Sequence, residues 1–423
     1  MNPTYFYPAD ILLPNPQADR TLFSVVACDQ YTSQPDYWAR VQERTASVPS
    51  AYHLVFPELY LNDGDFDSRI TSINQHMRDY LDSGLFTEYP NTLLYVERTL
   101  KNGAVRKGIV GAIDLEQYDY QKGSKNYIRA TEGTVLERIP PRVKIREHAP
   151  LELPHVMLLI DDDQKTVIEP LHDAAEHFEL LYDFPLMEDS GHLRGWKIDA
   201  AHTEAITELL NAQSDPAAFN QKYGTTGQAP MLFAVGDGNH SLATAKACYE
   251  AIKQTLPPEE AKAHPARYAL VELVNLHDAS LEFEAIHRVL FGVNAEHLLQ
   301  KLAEQYKIKE GAVAGAQTIT AVIGSTANPL SILNPDFNLA VGTLQHFLDG
   351  YLKEFGGRVD YIHGEDVVYD LCRDEHNMGF ILPCMDKSDL FKTVILDGAL
   401  PRKTFSMGEA CDKRFYLEAR KIR

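Results

Sequence analysis

A short stretch near the middle of the chain, Gly236–Ser241, concentrates side chains that can do chemistry. It reads Gly-Asp-Gly-Asn-His-Ser, so Asp237, Asn239, His240 and Ser241 are close neighbours. The two glycines permit a sharp turn and let a ligand approach the backbone closely. A histidine with an ordinary pKa suits proton transfer or contact with a phosphate. These residue types together indicate a site for an anionic ligand.

The flanking residues predict the elements that position this stretch. Met231–Val235 is an apolar run of the length of a buried strand, and Leu242–Ile252 is rich in good helix formers. The first N–H groups of a helix lack partners and carry partial positive charge. A phosphate or carboxylate is therefore expected near Gly238, Asn239 and Ser241. Because Asp, Asn and Ser also cap helices, a purely structural turn is the alternative.

A second feature is the basic stretch Tyr118–His148, which lies in an otherwise acidic chain. The protein has 423 residues, with 60 acidic and 40 basic ones and a formal net charge of −20. An arginine guanidinium group can donate two parallel hydrogen bonds to phosphate oxygens, and hydroxyl groups add further donors. Arg129, Thr131, Arg138 and Arg142 are therefore candidate phosphate or substrate ligands. The alternative is a solvated loop whose charge is balanced by acidic neighbours.

A carboxylate follows another predicted strand near the N-terminus. Phe23–Cys28 is predicted to form a strand that ends at Asp29, and His53–Phe56 is predicted to form a second. The end of a buried strand is a common place for a catalytic group, although such a carboxylate can also cap a helix. Asp29 is therefore a candidate general base, beside His240.

The composition narrows the class of protein. A net charge of −20 repels nucleic acid backbones, and no apolar stretch approaches the length of a membrane span. The N-terminus has no basic region followed by an apolar core, so no secretory signal is expected. The five cysteines form no Cys-x-x-Cys pair, which disfavours zinc ribbons and redox motifs. The sequence predicts a cytoplasmic protein that binds a small anionic molecule but neither nucleic acid nor membranes.

Strand-like and helix-like segments alternate along the whole chain. This pattern predicts an α/β (α+β) fold with mixed sheets and flanking helices. We expect two lobes. Residues 1–227 would form an N-terminal lobe with Asp29 and the basic stretch, and residues 228–423 a C-terminal lobe with the strand-turn-helix around Gly238. The number of subunits is left open.

Three segments resemble a prokaryotic family of unknown function, DUF1015. Asp237–Ser241 resembles the Asp-Gly-His-His-Arg signature of that family, with Asn and Ser in place of the first His and the Arg. Leu281–Val289 resembles its Pro-Thr-His-Arg segment, and Leu400–Phe405 resembles its Pro-x-Lys-Ser-Thr segment. The segments follow one another in the order of the family.

The resemblance implies a fold and a chemistry. The family looks related to the ParB/sulfiredoxin-like superfamily, which includes free-serine kinases, so a ParB/sulfiredoxin-like core with large elaborations is expected. In those kinases the signature contacts phosphates and metal, which implies Mg²⁺ at Asp237 and a nucleotide or pyrophosphate as phosphoryl donor. The other two segments add His287, Arg288 and Lys403 as candidate phosphate or substrate ligands. Serine or phosphoserine is the implied small ligand.

These features predict a phosphoryl-transfer enzyme that acts on a small hydroxy metabolite, in the kinase or the phosphatase direction. Such catalysis needs positioning, positive charge and a group that handles a proton. The catalytic candidates are Asp29, Asp237 and His240. A protein that binds a phosphometabolite or nucleotide without turnover is the main alternative, because it needs the same anion site and no base.

Two further classes fit less well. Gly236-x-Gly238-x-x-Ser241 is close to a dinucleotide-binding fingerprint, but the third small residue is Ser and the residues between are atypical. Ser241 as the nucleophile of a hydrolase elbow is disfavoured because Ala243 stands where the last glycine of Gly-x-Ser-x-Gly belongs.

Overall fold

The computed structural model describes residues 5–134 and 136–423. The chain forms two compact units, of which the first comprises Met1–Leu281 with Glu409–Arg423 and the second comprises Glu282–Gly408. The C-terminal segment therefore returns to the first unit after the second unit is complete.

The first unit is built around a mixed sheet of nine strands in the order β10-β11-β4-β5-β13-β9-β12-β7-β6. In chain order the strands of this unit are β1 (Ala9–Pro14), β2 (Val25–Val26), β3 (Phe86–Thr92), β4 (Leu94–Thr99), β5 (Val105–Asp114), β6 (Tyr118–Asp119), β7 (Ile128–Ala130), β8 (Leu151–Glu152), β9 (Met157–Ile160), β10 (Glu179–Pro185), β11 (His192–Lys197), β12 (Phe233–Asp237), β13 (Tyr268–Asn275) and, after the second unit, β22 (Phe415–Tyr416) and β23 (Arg420–Lys421).

Helices and two apolar cores cover both faces of this sheet. Along β4, Leu94 and Val96 pack into one core while Tyr95 packs into the other, as the alternation of side chains along a strand requires. The helices of the first unit are α1 (Arg20–Phe23), α2 (Pro35–Thr45), α3 (Phe66–Asp82), α4 (Ile139–Arg146), α5 (Leu171–Ala174), α6 (Ala200–Ala212), α7 (Pro216–Tyr223), α8 (Asn239–Lys253) and α9 (Pro258–Ala263).

The second unit contains an antiparallel six-stranded sheet in the order β16-β18-β17-β20-β15-β19, and β14 pairs separately with β21. Its strands are β14 (Phe283–Ala285), β15 (His287–Phe291), β16 (Ile308–Glu310), β17 (Gln317–Ile323), β18 (Thr326–Ile332), β19 (Arg358–Ile362), β20 (Asn377–Ile381) and β21 (Phe405–Met407). Its helices are α10 (Ala295–Gln305), α11 (Ala340–Phe355), α12 (Glu365–Leu371) and α13 (Lys387–Asp397).

Two strand pairings bring distant segments together in the first unit. Strand β12 runs parallel to β7 but antiparallel to β9, so the C-terminal end of β12 lies beside the N-terminal start of β9. Strand β2 pairs with β22, with Val25 opposite Tyr416 and Val26 opposite Phe415. The segment after β2 and the C-terminal segment are therefore neighbours.

The predicted α/β fold with mixed sheets and flanking helices is confirmed. The predicted lobe boundary between residues 227 and 228 differs from the observed division, because β12 pairs with β7 and β9 from the N-terminal part of the chain.

Two predicted strands are also wrong in part. Only Val25–Val26 is a strand within 23–28, because Asp19 caps the short helix that ends at Phe23. Ala51–His53 is a 3₁₀ turn capped by the Ser50 hydroxyl, so no strand forms over 53–56.

Candidate active site

The strand-turn-helix predicted from the sequence is confirmed, and its turn depends on glycine. Strand β12 ends at Asp237, and α8 begins at Asn239. Gly238 lies between them with φ of +79°, in the left-handed region. A Cβ atom at this position would lie 3.0 Å from the Val156 Cα atom, which belongs to the backbone leading into β9. Gly238 is therefore required both by its conformation and by close packing.

The N-terminal end of α8 is open. No side chain caps it, and the first backbone bond of its opening turn runs from the Leu242 N–H to the Gly238 carbonyl, at 3.0 Å. The N–H groups of Asn239, His240 and Ser241 precede that bond and have no acceptor within the helix. Such an end carries partial positive charge and attracts anions.

A lysine from the C-terminal segment faces the turn. The Lys413 Nζ atom lies 3.3 Å from the Asp237 Oδ2 atom, and both side chains are mostly buried. The other carboxylate oxygen, Oδ1, accepts the Gly238 N–H at 3.0 Å. Sequence analysis did not select Lys413, because the segment reaches the site through contacts of the folded chain such as the pairing of β2 with β22.

Ser241 belongs to a chain of hydrogen bonds with two residues that sequence analysis missed. Its Oγ atom lies 3.0 Å from the His155 Nε2 atom. The other ring nitrogen of His155, Nδ1, lies 2.6 Å from the Tyr416 hydroxyl oxygen. His155 is 6% exposed and Tyr416 is 2% exposed. The Ser241 hydroxyl is therefore hydrogen-bonded to a buried imidazole ring. Tyr416 fixes the orientation of that ring through its other nitrogen.

Asp29 lies in the electrostatic field of the same histidine. Burial tends to raise the pKa of the Asp29 carboxyl, but His155, a hydrogen bond from Gln30 and the charge of Lys413 together hold this pKa below its usual value. Asp29 is therefore ionised at neutral pH. The predicted candidate Asp29 and the newly found His155 belong to one site.

The neighbouring Cys28 supports Tyr416 and is not reactive. The Cys28 N–H donates to the Tyr416 hydroxyl oxygen at 3.2 Å. Burial raises the pKa of the Cys28 thiol to about 12, so the thiol stays protonated. Since the thiolate is the nucleophilic form of cysteine, Cys28 is a structural neighbour of the site.

His240 is present in the turn but is a weak base. Burial, followed by the charges of Arg142 and Arg138, lowers the pKa of His240 to about 4, although Asp29 acts in the opposite direction. Its Nε2 atom is buried without a hydrogen-bond partner among the residues that the structure describes. His240 is therefore neutral at pH 7.

Arg138, just before α4, and Arg142, in the middle of α4, bring positive charge to the turn. The Arg142 Nε atom donates to a carboxylate oxygen of Glu58 at 3.0 Å, and a second nitrogen contacts the same oxygen. The third nitrogen donates to the Arg138 carbonyl at 2.6 Å. Glu58 thus neutralises part of the charge that Arg142 adds to the site.

Arg129 and Thr131 support the backbone. The Arg129 guanidinium donates to the carbonyls of Asn126 and Ala229 at 2.8 and 2.7 Å, and the side chain is 5% exposed. Burial lowers the pKa of Arg129 to about 10. The Thr131 hydroxyl donates to the Val235 carbonyl at 2.7 Å. These bonds hold the segment that leads into β12, which argues against the predicted role of Arg129 as a phosphate ligand.

The last three candidates, His287, Arg288 and Lys403, lie in the second unit. Arg288 is fully buried and donates to the carbonyls of Arg402 and Lys403 at 3.0 and 2.9 Å. The His287 Nδ1 atom accepts the Leu382 N–H at 3.2 Å. Arg288 therefore holds the segment around Lys403 to β15, and its predicted phosphate-binding role is not supported by these contacts.

A cavity of about 150 Å³ lies beside the hydrogen-bonded chain. Ser241, His155 and Tyr416 form part of its wall, together with Arg142. Most of the remaining wall is apolar and includes Leu54, Val55, Phe56, Met77, Leu242 and Leu270. A small ligand group that entered this cavity would lie next to the Ser241 hydroxyl.

The described residues do not fit a Mg²⁺ site formed by the protein alone. Over 5–134 and 136–423, no three His, Cys, Asp or Glu side chains are grouped as metal ligands. The predicted ligand, Asp237, instead faces the Lys413 ammonium group. In the same part of the chain, no helix combines the length and apolar character that a bilayer span requires.

Solved structures whose backbones resemble this protein have low sequence identity to it. A mutant free serine kinase in complex with AMP is 12% identical, with 74% of this chain and 91% of that chain covered and a TM-score of 0.38. SbnI with a C-terminal truncation, from Staphylococcus aureus, is 10% identical, with coverages of 71% and 82% and a TM-score of 0.36. A conserved hypothetical protein from Pyrococcus furiosus is also 10% identical, with coverages of 74% and 94% and a TM-score of 0.34. Likenesses this weak carry no argument about function.

The family comparison is more informative. None of the curated proteins matches this sequence significantly. The model of a family described as "protein of unknown function (DUF1015)" matches residues 9–351, which include β12, the turn and all of α8. The chain therefore belongs to the DUF1015 family.

Proposed function

We propose that this protein is a phosphoryl-transfer enzyme that acts on a small hydroxy metabolite. The observation that supports this most strongly is the open end of α8, which has Lys413, Arg138 and Arg142 around it in a protein with a net charge of −20. Phosphoryl transfer depends chiefly on positioning and on positive charge around the moving group. An uncapped helix start with surrounding cations meets both needs.

In this proposal the phosphoryl group lies against the N–H groups of Asn239, His240 and Ser241. Lys413 donates to its oxygens, and Asp237 orients the lysine through their ion pair. A nucleotide or pyrophosphate is the proposed donor. Backbone N–H groups and ammonium groups are common ligands of phosphate, and the dipole of α8 adds to their attraction.

Asp29 is the proposed base for the acceptor hydroxyl. Its carboxylate is ionised at neutral pH, and a carboxylate that accepts the substrate proton is a recurring part of phosphoryl-transfer sites. Serine is the proposed acceptor in the kinase direction and phosphoserine the proposed substrate in the phosphatase direction, on the ground of the resemblance of the Asp237–Ser241 stretch alone. The proposed setting is the cytoplasm.

A protein that binds a phosphometabolite or nucleotide without turnover is the second candidate. The low pKa of His240 favours it, because the one histidine of the turn is a poor base. This function would use the same N–H groups and Lys413 but would make no use of Asp29.

³¹P NMR distinguishes the two candidates. The pure protein is incubated with Mg²⁺, serine or phosphoserine, and ATP, ADP or pyrophosphate in turn, and calorimetry measures binding of the same compounds. The enzyme proposal predicts new phosphate resonances that Asp29→Asn abolishes and the exposed control Asp36→Asn retains. Binding without new resonances favours the second candidate, and neither binding nor turnover would contradict both.

A further inference from the structure

We infer that Ser241 is a catalytic nucleophile that accepts the phosphoryl group covalently, with His155 as the base that takes its proton. This inference rests on the proposed function and adds a step to it. The sequence argued against a serine nucleophile because the hydrolase elbow motif is absent. The geometry around Ser241 nevertheless provides a nucleophile, a base and a group that orients the base.

The first support is the pattern of contacts. An activated nucleophile is recognised by a base within hydrogen-bond reach and a third group that orients the base. The Ser241 Oγ atom lies 3.0 Å from His155 Nε2, and Nδ1 of the same ring lies 2.6 Å from the Tyr416 hydroxyl. When Nδ1 carries the ring proton and donates it to Tyr416, Nε2 is free to accept the proton of Ser241.

The second support is that Tyr416 is itself held in place. Its hydroxyl oxygen accepts the Cys28 N–H at 3.2 Å, and its backbone pairs with Val25 of β2. Tyr416 is therefore a positioning residue, because it acts on Ser241 only through His155.

The third support is the charge around the imidazole. Taking a proton from Ser241 makes His155 positive, and Asp29 lies close enough to interact with that charge. Lys413 is also close to Asp29 and weakens this attraction in part. A base that becomes charged is stabilised by a nearby carboxylate, as in other serine nucleophile systems.

The fourth support is the space beside the nucleophile. Ser241 and His155 both line the cavity of about 150 Å³, whose walls are mostly apolar. The phosphoserine formed would lie in the first turn of α8, where its negative charge is favoured.

The step is a displacement at phosphorus. The Oγ–P bond forms while the bond from phosphorus to the bridging oxygen of the donor breaks, and the electron pair of that bond leaves with the oxygen. The Ser241 proton moves to His155 Nε2. The leaving group is a nucleoside diphosphate when ATP is the donor and orthophosphate when pyrophosphate is the donor.

Rapid acid quench tests this step. The wild type, Ser241→Ala and the exposed control Ser72→Ala are mixed with radiolabelled ATP or pyrophosphate, and the labelled peptide is identified by mass spectrometry. We expect label on the peptide that contains Ser241 in the wild type and the control, and none in Ser241→Ala. Circular dichroism shows whether Ser241→Ala is still folded. Ser241→Thr, which keeps a hydroxyl group, shows whether the loss of label is due to the loss of that group.

The outcomes distinguish this inference from the function on which it rests. Turnover in ³¹P NMR by Ser241→Ala, or turnover by the wild type without label, overturns the inference and leaves phosphoryl transfer intact. Absence of turnover in the wild type contradicts the proposed function itself. Acetylation of Ser241 by p-nitrophenyl acetate without phosphorylation by either donor would also overturn the inference, in favour of acyl transfer.

Tyr416→Phe tests the positioning role. We expect labelling of Ser241 to slow by about tenfold or more, and its dependence on pH to shift because His155 loses the partner of Nδ1. A purely structural role would lower the unfolding midpoint and leave the pH profile of labelling unchanged. That second result would contradict the orientation of His155 by Tyr416.

Discussion

The Nε2 atom of His155 lies 3.0 Å from the Oγ atom of Ser241, although 86 residues separate them along the chain. The contact exists because β12 and β9 run antiparallel, so the end of one strand meets the start of the other. Neither segment alone forms the site, which depends on the completed sheet.

Lys413 is predicted to hold the bound phosphate. Its ammonium group is the cation nearest Asp237, at 3.3 Å. Since a hydrogen bond to a charged group contributes about 1.5–3 kcal/mol, Lys413→Ala should weaken ADP binding by about tenfold or more. Calorimetric titration at two salt concentrations measures this loss and its electrostatic origin. Lys421→Ala, which removes a surface lysine paired with Glu88, is the control, and equal affinities for both variants would refute the role of Lys413.

Gly238→Ala is predicted to destabilise the protein more than an alanine substitution at another glycine that has a positive φ angle. The new Cβ atom would lie 3.0 Å from the Val156 Cα atom, which cannot move easily. Gly224 has φ of +63° but nothing within 4 Å of a Cβ atom. We expect Gly224→Ala to cost about 1–2 kcal/mol and Gly238→Ala about 1–3 kcal/mol more because of overpacking. Urea unfolding measures both, and equal losses would show that the turn is not tightly packed.

His240 is predicted to make stability depend on pH in a defined window. Its pKa is lowered to about 4 in the folded protein, against an unfolded value of 6.5. Between these values the unfolded state binds more protons, so this contribution is present above pH 6.5 and is lost as pH falls toward 4. With solvent screening taken into account, the loss should be about 1–2 kcal/mol.

The difference between variants isolates this contribution. Urea unfolding of the wild type and His240→Gln at pH 7 and pH 4.5 measures it, because the other titrating groups are common to both proteins. His240→Gln should lose less stability than the wild type on acidification. The exposed His148→Gln serves as the baseline. If the wild type and His240→Gln lose the same stability, the pKa of His240 is not depressed.

Glu58→Gln is predicted to strengthen anion binding. Glu58 pairs with Arg142 and neutralises part of its charge near the turn. Without that carboxylate, Arg142 would attract inorganic phosphate more strongly, by several-fold in affinity, which corresponds to about 1 kcal/mol. Arg142→Gln should have the opposite effect. Phosphate titration followed by ³¹P NMR checks both, with Glu88→Gln as a carboxylate control, and weaker binding by Glu58→Gln would contradict the prediction.

The sequence predicted local features of the site well. The strand Phe233–Asp237, the turn at Gly238 and the helix that follows were all visible as an apolar run, a glycine and a run of helix formers. These features depend on residues that are adjacent in the chain. Asp29 was also selected, because it follows an apolar segment directly.

The sequence could not show which distant residues complete the site. His155 is a single histidine ahead of a strand, and Lys413 and Tyr416 lie in a C-terminal segment whose return to the first unit is a property of the whole fold. Arg129 and Arg288 were predicted to bind phosphate, because the sequence does not show whether an arginine side chain is exposed or buried. Their guanidinium groups instead satisfy backbone carbonyls inside the protein, which is a common need of buried polar groups.

Binding of a phosphate group at the start of α8 can be observed directly by NMR. The backbone amide resonances of Asn239, His240 and Ser241 are followed in a ¹⁵N TROSY spectrum of the full chain while ADP is added. We expect these three resonances to shift and to saturate at the affinity measured by calorimetry. In Lys413→Ala they should saturate only at higher ADP concentrations. Saturated ADP binding that leaves all three amides unchanged would contradict this expectation.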